Sequence, residues 1–242
     1  MKKTFSYLIL FLFSFSFAQI ETSKLVPKVL KQLDLNINNI HQDFYVEKVL
    51  PFEKSKTLIL IPKFVNTNYN NYDSYFYTIK PILVIVDNNS GKILNQFNCQ
   101  EIISDAIKIS SIVLDTGLYY LKSDLRAVGV RVHFSGSSSV YPMSNELLSL
   151  YIPENKSFKN VLNSFTISNY NSDWDTKCAG ESKETNSFLS MDEKNSSNGF
   201  RNINVHSKIK LSKTYVLKGE CKEKNSTNQT NRILKFNGKE YK

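Results

Sequence analysis

Residues 127–152 read A-V-G-V-R-V-H-F-S-G-S-S-S-V-Y-P-M-S-N-E-L-L-S-L-Y-I, and this stretch decides the fold class. Its first eight residues alternate valine with Gly, Arg and His, and Phe134 continues the valine face. In its last part Leu148, Leu150 and Ile152 share one face, with Ser149 and Tyr151 on the other. Such a period of two is typical of β-strands. The stretch therefore predicts two strands joined by a polar, serine-rich connection.

The same pattern continues on both sides of this stretch. Further strand-like runs, rich in β-branched and aromatic residues, lie at 44–50, 57–65, 75–87, 92–97, 106–114, 118–122, 188–192, 202–211, 214–219 and 231–236. Helical spacing appears at Leu25, Val26, Val29, Leu30 and Leu33, after Ser23 as an N-cap residue, and a short helical turn is expected at 158–162. We therefore expect a mainly β protein, an antiparallel β-sandwich or related irregular β fold with one short N-terminal helix.

The N-terminus has the layout of a secretory signal peptide. Lys2 and Lys3 precede an apolar run, residues 7–15, that is too short to span a bilayer, and Ser16-Phe17-Ala18 places small residues at the −3 and −1 positions of a cleavage site. Residues 1–18 are therefore predicted to be removed, and no later stretch is long and apolar enough for a transmembrane helix. We expect a periplasmic or secreted protein.

The predicted cleavage gives a direct test. Intact-mass analysis of protein from the cell envelope fraction should show a chain that starts at Gln19. A mature protein that retains residues 1–18 would contradict the prediction.

Charge is distributed unevenly along the chain. The full chain of 242 residues carries a formal charge of +9, with 13 Lys+Arg and 13 Asp+Glu in residues 19–155 but 16 and 9 in residues 156–242. We treat residues 19–155 as a neutral β-rich region and residues 156–242 as a basic β-rich region, packed together as one domain. A basic region suits an anionic glycan or membrane surface, but it is also typical of a lysine-rich solvated surface. Export and the lack of a recognition motif argue against nucleic acid.

Three cysteines follow the signal peptide, and an exported chain permits a disulfide between two of them. Cys178 and Cys221 lie in similar polar settings within the basic region, whereas Cys99 follows a strand. We predict a Cys178–Cys221 disulfide and a free Cys99. No spacing of Cys and His predicts a metal site, and we expect no cofactor.

The connection between the two strands predicted within residues 127–152 is the first candidate site. If the strands pair as a hairpin, residues 135–145 form an eleven-residue loop, which is long for a hairpin. Its Ser, Gly, Asn and Tyr residues are typical of recognition loops, although a mobile polar loop without a partner has the same composition. The residues proposed to bind a partner are Arg131, His133, Ser135, Gly136, Ser137, Ser138 and Tyr141.

Residues 135–141, S-G-S-S-S-V-Y, resemble the Ser-Gly…Tyr loop of periplasmic lysozyme inhibitors and the related loop of immunity proteins against peptidoglycan hydrolases. Residues 148–162 are similar to the strand that follows in the immunity proteins. The resemblance implies a β-rich fold and a loop that enters the hydrolase cleft and contacts its catalytic carboxylates. More broadly, the chain resembles uncharacterised exported bacterial proteins of similar size.

A second candidate site lies at Tyr170, Asp173, Trp174 and Asp175. The two aromatic residues could stack against sugar rings. The two carboxylates, at positions i and i+2, would project from one face of an extended segment, although the surrounding Asn and Ser residues favour a solvated loop. No other motif predicts catalysis, and we expect no enzymatic activity.

Two hypotheses follow from the sequence. The first is an exported binding protein without enzymatic activity that inhibits a lysozyme-like peptidoglycan hydrolase through residues 131–141. The second is a glycan-binding or cell-surface accessory protein that uses residues 170–175 and the basic region. Convergence of polar and aromatic groups on residues 131–141 would favour the inhibitor, and convergence on residues 170–181 would favour the glycan-binding protein.

Overall fold

The computed structural model describes residues 23–65 and 76–242, so the predicted signal peptide lies outside the described residues. The expectation of a mainly β fold is confirmed. The elements are α1 (Leu25–Gln32), β1 (Val46–Val49), β2 (Lys56–Phe64), β3 (Tyr77–Asp87), β4 (Ile93–Asn98), β5 (Ile102–Ser104), β6 (Ile107–Asp115), β7 (Val128–Gly136), β8 (Met143–Glu154), β9 (Ser157–Trp174), β10 (Gly180–Ser197), β11 (Phe200–Leu217) and β12 (Glu220–Leu234).

The strands form two antiparallel sheets. The first sheet has the order β1-β2-β3-β4, with β5 also paired to β3, and the second has the order β12-β11-β10-β9-β8-β7-β6. Neighbours in the second sheet are consecutive along the chain. Turns of two to six residues join the strands from β7 onward, whereas residues 116–127 connect β6 to β7. The β10–β11 turn is Asn198-Gly199, with φ of 49° and 75°, a region that glycine and asparagine enter at low cost.

The apolar parts of the two faces of the β7–β8 hairpin are buried in different cores. Val128 and Val130 lie in the core between the two sheets. Leu148 and Leu150 lie in a second core on the opposite face of the second sheet, which the C-terminal Phe236 helps to close. The apolar alternation therefore predicted the strands and both of their apolar faces correctly.

A third core lies under the helix. Val29 and Leu30 of α1 pack on the outer face of the first sheet, against Ile59, Ile61 and Val84. The helix was predicted correctly, although its N-cap position is occupied by Lys24 rather than Ser23. The Ser23 hydroxyl nevertheless accepts a hydrogen bond from the Leu25 amide at 3.2 Å.

The last four strands extend well beyond these cores. No residue in 168–188 or 206–233 is buried, and we call these two ranges the distal sheet. Serine, threonine, asparagine and lysine dominate these ranges, so hydrophobic burial contributes little to this part of the fold. Its stability depends on backbone pairing and on a covalent link.

That link is the Cys178–Cys221 disulfide, with a Cα–Cα distance of 5.8 Å, as the sequence predicted. It joins the β9–β10 turn to the start of β12. Cys99 is free, also as expected; it is buried, and burial raises the pKa of its thiol to about 11. A thiol with so high a pKa stays protonated at neutral pH and is a weak nucleophile.

Two of the predicted secondary-structure elements do not form. Residues 158–162 belong to β9 rather than to a helical turn, because Phe158 and Lys159 pair with Pro153 and Ile152 of β8. Residues 118–122 are not a strand and form only an isolated bridge between Tyr120 and Arg126. The proposed boundary at 155/156 falls in the turn between β8 and β9, which pair in one sheet.

Candidate functional site

The serine-rich connection is shorter than the sequence suggested. Ser135 pairs with Ser144 and Phe134 with Asn145, so the connection between β7 and β8 is residues 137–142 rather than 135–145. Serine and asparagine have low strand propensity, but β7 is paired on both sides, with β6 and with β8. Backbone hydrogen bonding therefore extends the hairpin through polar residues. We call residues 137–142 the serine turn.

Backbone hydrogen bonds tie the serine turn to the end of β9. The Ser172 amide donates to the Pro142 carbonyl at 3.0 Å, and the Trp174 amide donates to the Val140 carbonyl at 2.9 Å. Within the turn, the Tyr141 amide donates to the Ser138 hydroxyl at 2.9 Å. The turn thus lies against the sheet with a fixed backbone, and the two candidate sites predicted from the sequence are direct neighbours.

Ser139 and Pro142 of the serine turn line one open groove of about 710 Å³ together with Tyr170 and Trp174. Residues opposite one another in paired strands project from the same face, and the register places Tyr170, Glu184 and Lys210 in one such row across the distal sheet. The lining residues are Ser139, Pro142, Tyr170, Ser172, Trp174, Gly180, Glu181, Ser182, Glu184, Lys210, Ser212, Thr214 and Glu223. We call this surface the distal groove.

Trp174 is the largest aromatic side chain of the distal groove. Its side chain is partly exposed, with a relative accessibility of 39%. Gly180 faces it across the strand pair, and a Cβ at that position would lie 3.0 Å from the indole Cδ1 and 2.6 Å from the Asp173 carbonyl oxygen. The absence of a side chain at Gly180 therefore makes room for the indole.

The acidic pair beside Trp174 does not form a matched pair of catalytic carboxylates. Asp173 lies in β9, whereas Asp175 lies in the following turn, where its Oδ1 accepts hydrogen bonds from the amides of Lys177 and Cys178, both at 2.8 Å. These bonds lower the pKa of the Asp175 carboxyl. Asp175 thus stabilises its own turn. The sequence interpretation of 170–174 as a loop was wrong, because these residues pair with β10.

Arg131 and His133 belong to a different cluster. The Arg131 Nε donates to Asp115 Oδ2 at 2.7 Å, its Nη1 to Glu146 Oε1 at 2.5 Å and its Nη2 to the Tyr119 hydroxyl at 3.3 Å. The Nδ1 of His133 lies 3.8 Å from Glu146 Oε2. Every guanidinium nitrogen of Arg131 thus has a partner within the chain.

The electrostatics of this cluster are those of a structural ion pair. Burial raises the pKa of the Asp115 carboxyl, but hydrogen bonds from Tyr119 and Arg131 outweigh it and hold that pKa below its usual value. Burial, together with Asp115, raises the pKa of the Tyr119 hydroxyl to about 12. Asp115 is therefore ionised and Tyr119 neutral at physiological pH. We call Asp115, Tyr119, Arg131, His133 and Glu146 the Arg131 cluster.

Among the remaining residues of the first candidate site, Gly136 packs closely against a neighbouring strand, whereas the residues of the serine turn are exposed. Gly136 lies in β7, where a Cβ would come within 2.7 Å of the Met143 side chain, so its small size serves close packing. Ser137 and Ser138 are exposed in the serine turn, and Tyr141 is 61% exposed. Tyr141 is thus the most accessible large side chain among the residues proposed to bind a partner.

Comparison of the chain with models of known protein families, with curated proteins and with solved structures gave no match. The family resemblance of residues 135–141 therefore stays a prediction. In the described ranges 23–65 and 76–242, no helix is long and apolar enough to cross a membrane, and no group of His, Cys, Asp and Glu is arranged to hold a metal ion.

Sequence reasoning missed Glu184, Lys210 and Glu223, which line the distal groove. They lie in β10, β11 and β12, so only the strand register brings them beside Tyr170 and Trp174. Each is a charged residue in a polar stretch, with no local pattern to distinguish it from a solvated surface residue. No signal in a single sequence could have selected them.

Proposed function

We propose that the chain is an exported binding protein whose distal groove binds a polar glycan, such as a polysaccharide chain of the cell envelope. The observation that carries this proposal is the position of Trp174 and Tyr170 beside hydroxyl, carboxylate and ammonium groups in one open groove. Sugars present apolar ring faces and hydroxyl edges, so aromatic faces bordered by hydrogen-bonding side chains suit them. The volume of the groove is in the range of small-molecule sites.

The charge of the groove favours a neutral or zwitterionic glycan over a polyanion. Glu184 and Glu223 line it together with a single cation, Lys210, whereas the Glu181 carboxylate at its border pairs with Lys213 at 2.5 Å on the opposite face of the sheet. The groove is therefore more acidic than the basic region around it. Carboxylates accept hydrogen bonds from sugar hydroxyls and amide groups, whereas they would repel phosphate-rich polymers.

Trp174→Ala tests the proposal. Loss of the indole should weaken binding of soluble peptidoglycan or chitin oligosaccharides by roughly tenfold to hundredfold, because one aromatic anchor often contributes about 1–3 kcal/mol. Isothermal titration calorimetry with wild type and variant would measure it. The free energy of unfolding should change by less than about 1 kcal/mol, since the side chain is partly exposed and outside the cores.

Tyr215→Ala is the matched control. Tyr215 has a similar exposure, 37%, and its neighbour Thr214 faces the groove, so Tyr215 projects from the opposite face of the same sheet. Its replacement should leave glycan affinity unchanged. Equal affinity of the Trp174→Ala chain and wild type would refute the groove as the glycan site.

The exposed Tyr141 supports a second candidate function, inhibition of a lysozyme-like hydrolase. A rigid turn that presents an aromatic side chain can insert into an enzyme cleft at low entropic cost. Lysis of peptidoglycan by a panel of lysozymes and transglycosylases distinguishes the two functions. Inhibition that is lost in Tyr141→Ala and retained in Trp174→Ala would favour the inhibitor, whereas no inhibition of any enzyme by wild type would exclude it for that panel.

A further inference from the structure

Strand β12 forms an open edge of the second sheet. It pairs with β11 over fifteen consecutive residues without a register shift, from Leu217↔Glu220 to Ile203↔Leu234. Among the described residues, 23–65 and 76–242, no strand pairs with its other side, and residues 220–233 are all exposed. A long, regular and uncovered edge is a template for another strand.

The turn before β12 fixes which backbone groups point outward. Leu217 and Glu220 flank the two-residue turn Lys218-Gly219, whose φ values of 53° and 80° are typical of a type I′ hairpin. In such a hairpin the flanking pair exchanges both backbone hydrogen bonds. Glu220 therefore directs its N–H and C=O toward β11. The direction of the backbone N–H and C=O groups alternates from one residue to the next. The odd-numbered residues from 221 to 233 therefore direct their N–H and C=O groups to the open edge.

We propose that this edge pairs with the β12 edge of a second copy of the chain. The two strands run antiparallel about a twofold axis at Ser226, so the two second sheets become continuous across a homodimer. This arrangement places odd-numbered residues opposite odd-numbered residues, which the outward hydrogen-bonding groups require. Because residues 222–232 carry only polar and charged side chains, pairing leaves no apolar face uncovered.

Charge selects the register. With the axis at Ser226, Glu220 of each copy lies opposite Arg232 of the other, and no like charges face each other. With the axis at Thr227, Lys222 would face Arg232, and with it at Asn225 the residue opposite Glu220 would be the uncharged Thr230. Edge lysines normally discourage strand pairing, but in the chosen register Lys222 and Lys224 face Thr230 and Asn228.

The central segment of the edge suits such pairing. Residues 225–231 read N-S-T-N-Q-T-N, without charge, proline or glycine. Their hydroxyl and amide groups can hydrogen bond across the interface, as Ser212 and Asn225 already do between β11 and β12. The proposal concerns the outer edge of the sheet and is independent of the glycan-binding function of the distal groove.

Crosslinking tests the dimer and its register. Ser226 would face its own copy in a non-hydrogen-bonded pair, where Cα atoms lie about 4.5 Å apart, within reach of a disulfide. The Ser226→Cys chain, starting at Gln19, should therefore form a covalent dimer under mild oxidation, seen by non-reducing electrophoresis. The matched Asn228→Cys chain should remain uncrosslinked, because its two copies would be four residues apart along the strands. Crosslinking of Asn228→Cys alone would overturn the register.

A charge exchange supplies an independent measurement. Sedimentation equilibrium of wild type at up to about 0.1 mM should show a dimer. Glu220→Lys should raise the dissociation constant of the dimer about tenfold, because the substituted lysine would face Arg232 in both symmetric pairs. The double variant Glu220→Lys/Arg232→Glu should return it toward the wild-type value. A monomeric wild type over this concentration range would overturn the proposal, as would a dimer that Glu220→Lys leaves unchanged.

Discussion

Replacement of both disulfide cysteines, in a Cys178→Ser/Cys221→Ser chain, is expected to lower the free energy of unfolding by about 2–4 kcal/mol. The disulfide closes a loop with a sequence separation of 43 residues, so its loss releases a large part of the unfolded chain from constraint. The effect should be strongest in the distal sheet, where no buried side chain holds the strands together.

Hydrogen exchange would locate this effect. Amides of β11 and β12 within the distal sheet should lose protection in the variant, because the locally opened state is no longer restricted by the covalent link. Amides of β2 and β3, in the first sheet, serve as the internal control and should keep their protection. Equal protection of β12 in both chains would show that backbone pairing alone maintains the distal sheet.

The disulfide also bears on the proposed function. Cys178 lies four residues after Trp174 and two residues before Gly180, so the same turn carries the disulfide and positions the indole. The double-serine chain should therefore also bind glycan more weakly than wild type. Reduced affinity with an intact fold would be consistent with a disulfide that orders the distal groove.

Arg131→Met is expected to destabilise the protein by about 2–4 kcal/mol at neutral pH. The substitution removes the cation between Asp115 and Glu146, whose side chains are each only 15% exposed, and leaves two carboxylates close together without their partner. We place the effect somewhat below that of a fully buried ion pair, because solvent partly screens this cluster. Urea denaturation of wild type and variant would measure it.

The difference in stability between wild type and Arg131→Met should depend on pH, and the direction of the Asp115 pKa shift shows how. The Asp115 pKa is depressed below its ordinary value of 3.8, so the ionised carboxyl stabilises the folded wild type above that pH and this contribution is lost as the pH falls through the folded value. In the variant, protonation relieves the repulsion instead. The difference in stability should therefore be largest near neutral pH and shrink in acid.

Lys63→Met is the control for Arg131→Met. Lys63 is an exposed cation in β2, and its removal should change the free energy of unfolding by no more than about 0.5 kcal/mol. A stability difference between Arg131→Met and wild type that stays constant from neutral to acid pH would contradict the electrostatic explanation. It would point instead to lost packing of the long arginine side chain.

The Arg131 cluster and the distal groove have different consequences for the two functional hypotheses. Arg131 was among the residues proposed from the sequence to bind a partner, and its guanidinium already contacts two carboxylates of its own chain. Recruiting it to a partner would require breaking those contacts. The groove around Trp174 needs no such rearrangement, which is why the proposed function rests on it.

The sequence alone determined the elements with strong apolar patterns. Alternating valines and leucines in 128–134 and 148–152 predicted β7 and β8, and helical spacing predicted α1, because side-chain periodicity reflects which face is buried. The disulfide followed from the similar polar settings of Cys178 and Cys221. These features depend on local composition, which one sequence contains.

Only the tertiary structure decided the form of the distal sheet and of the groove. Residues 168–187 and 220–230 are mostly polar and carry no strong period, so their strands are specified by backbone pairing with neighbours and by the disulfide. Strand register then placed the serine turn beside Trp174, and Glu184 beside Lys210, although these residues are far apart in sequence. Hydrogen-bonding register is a relation between strands, and no single stretch of sequence encodes it.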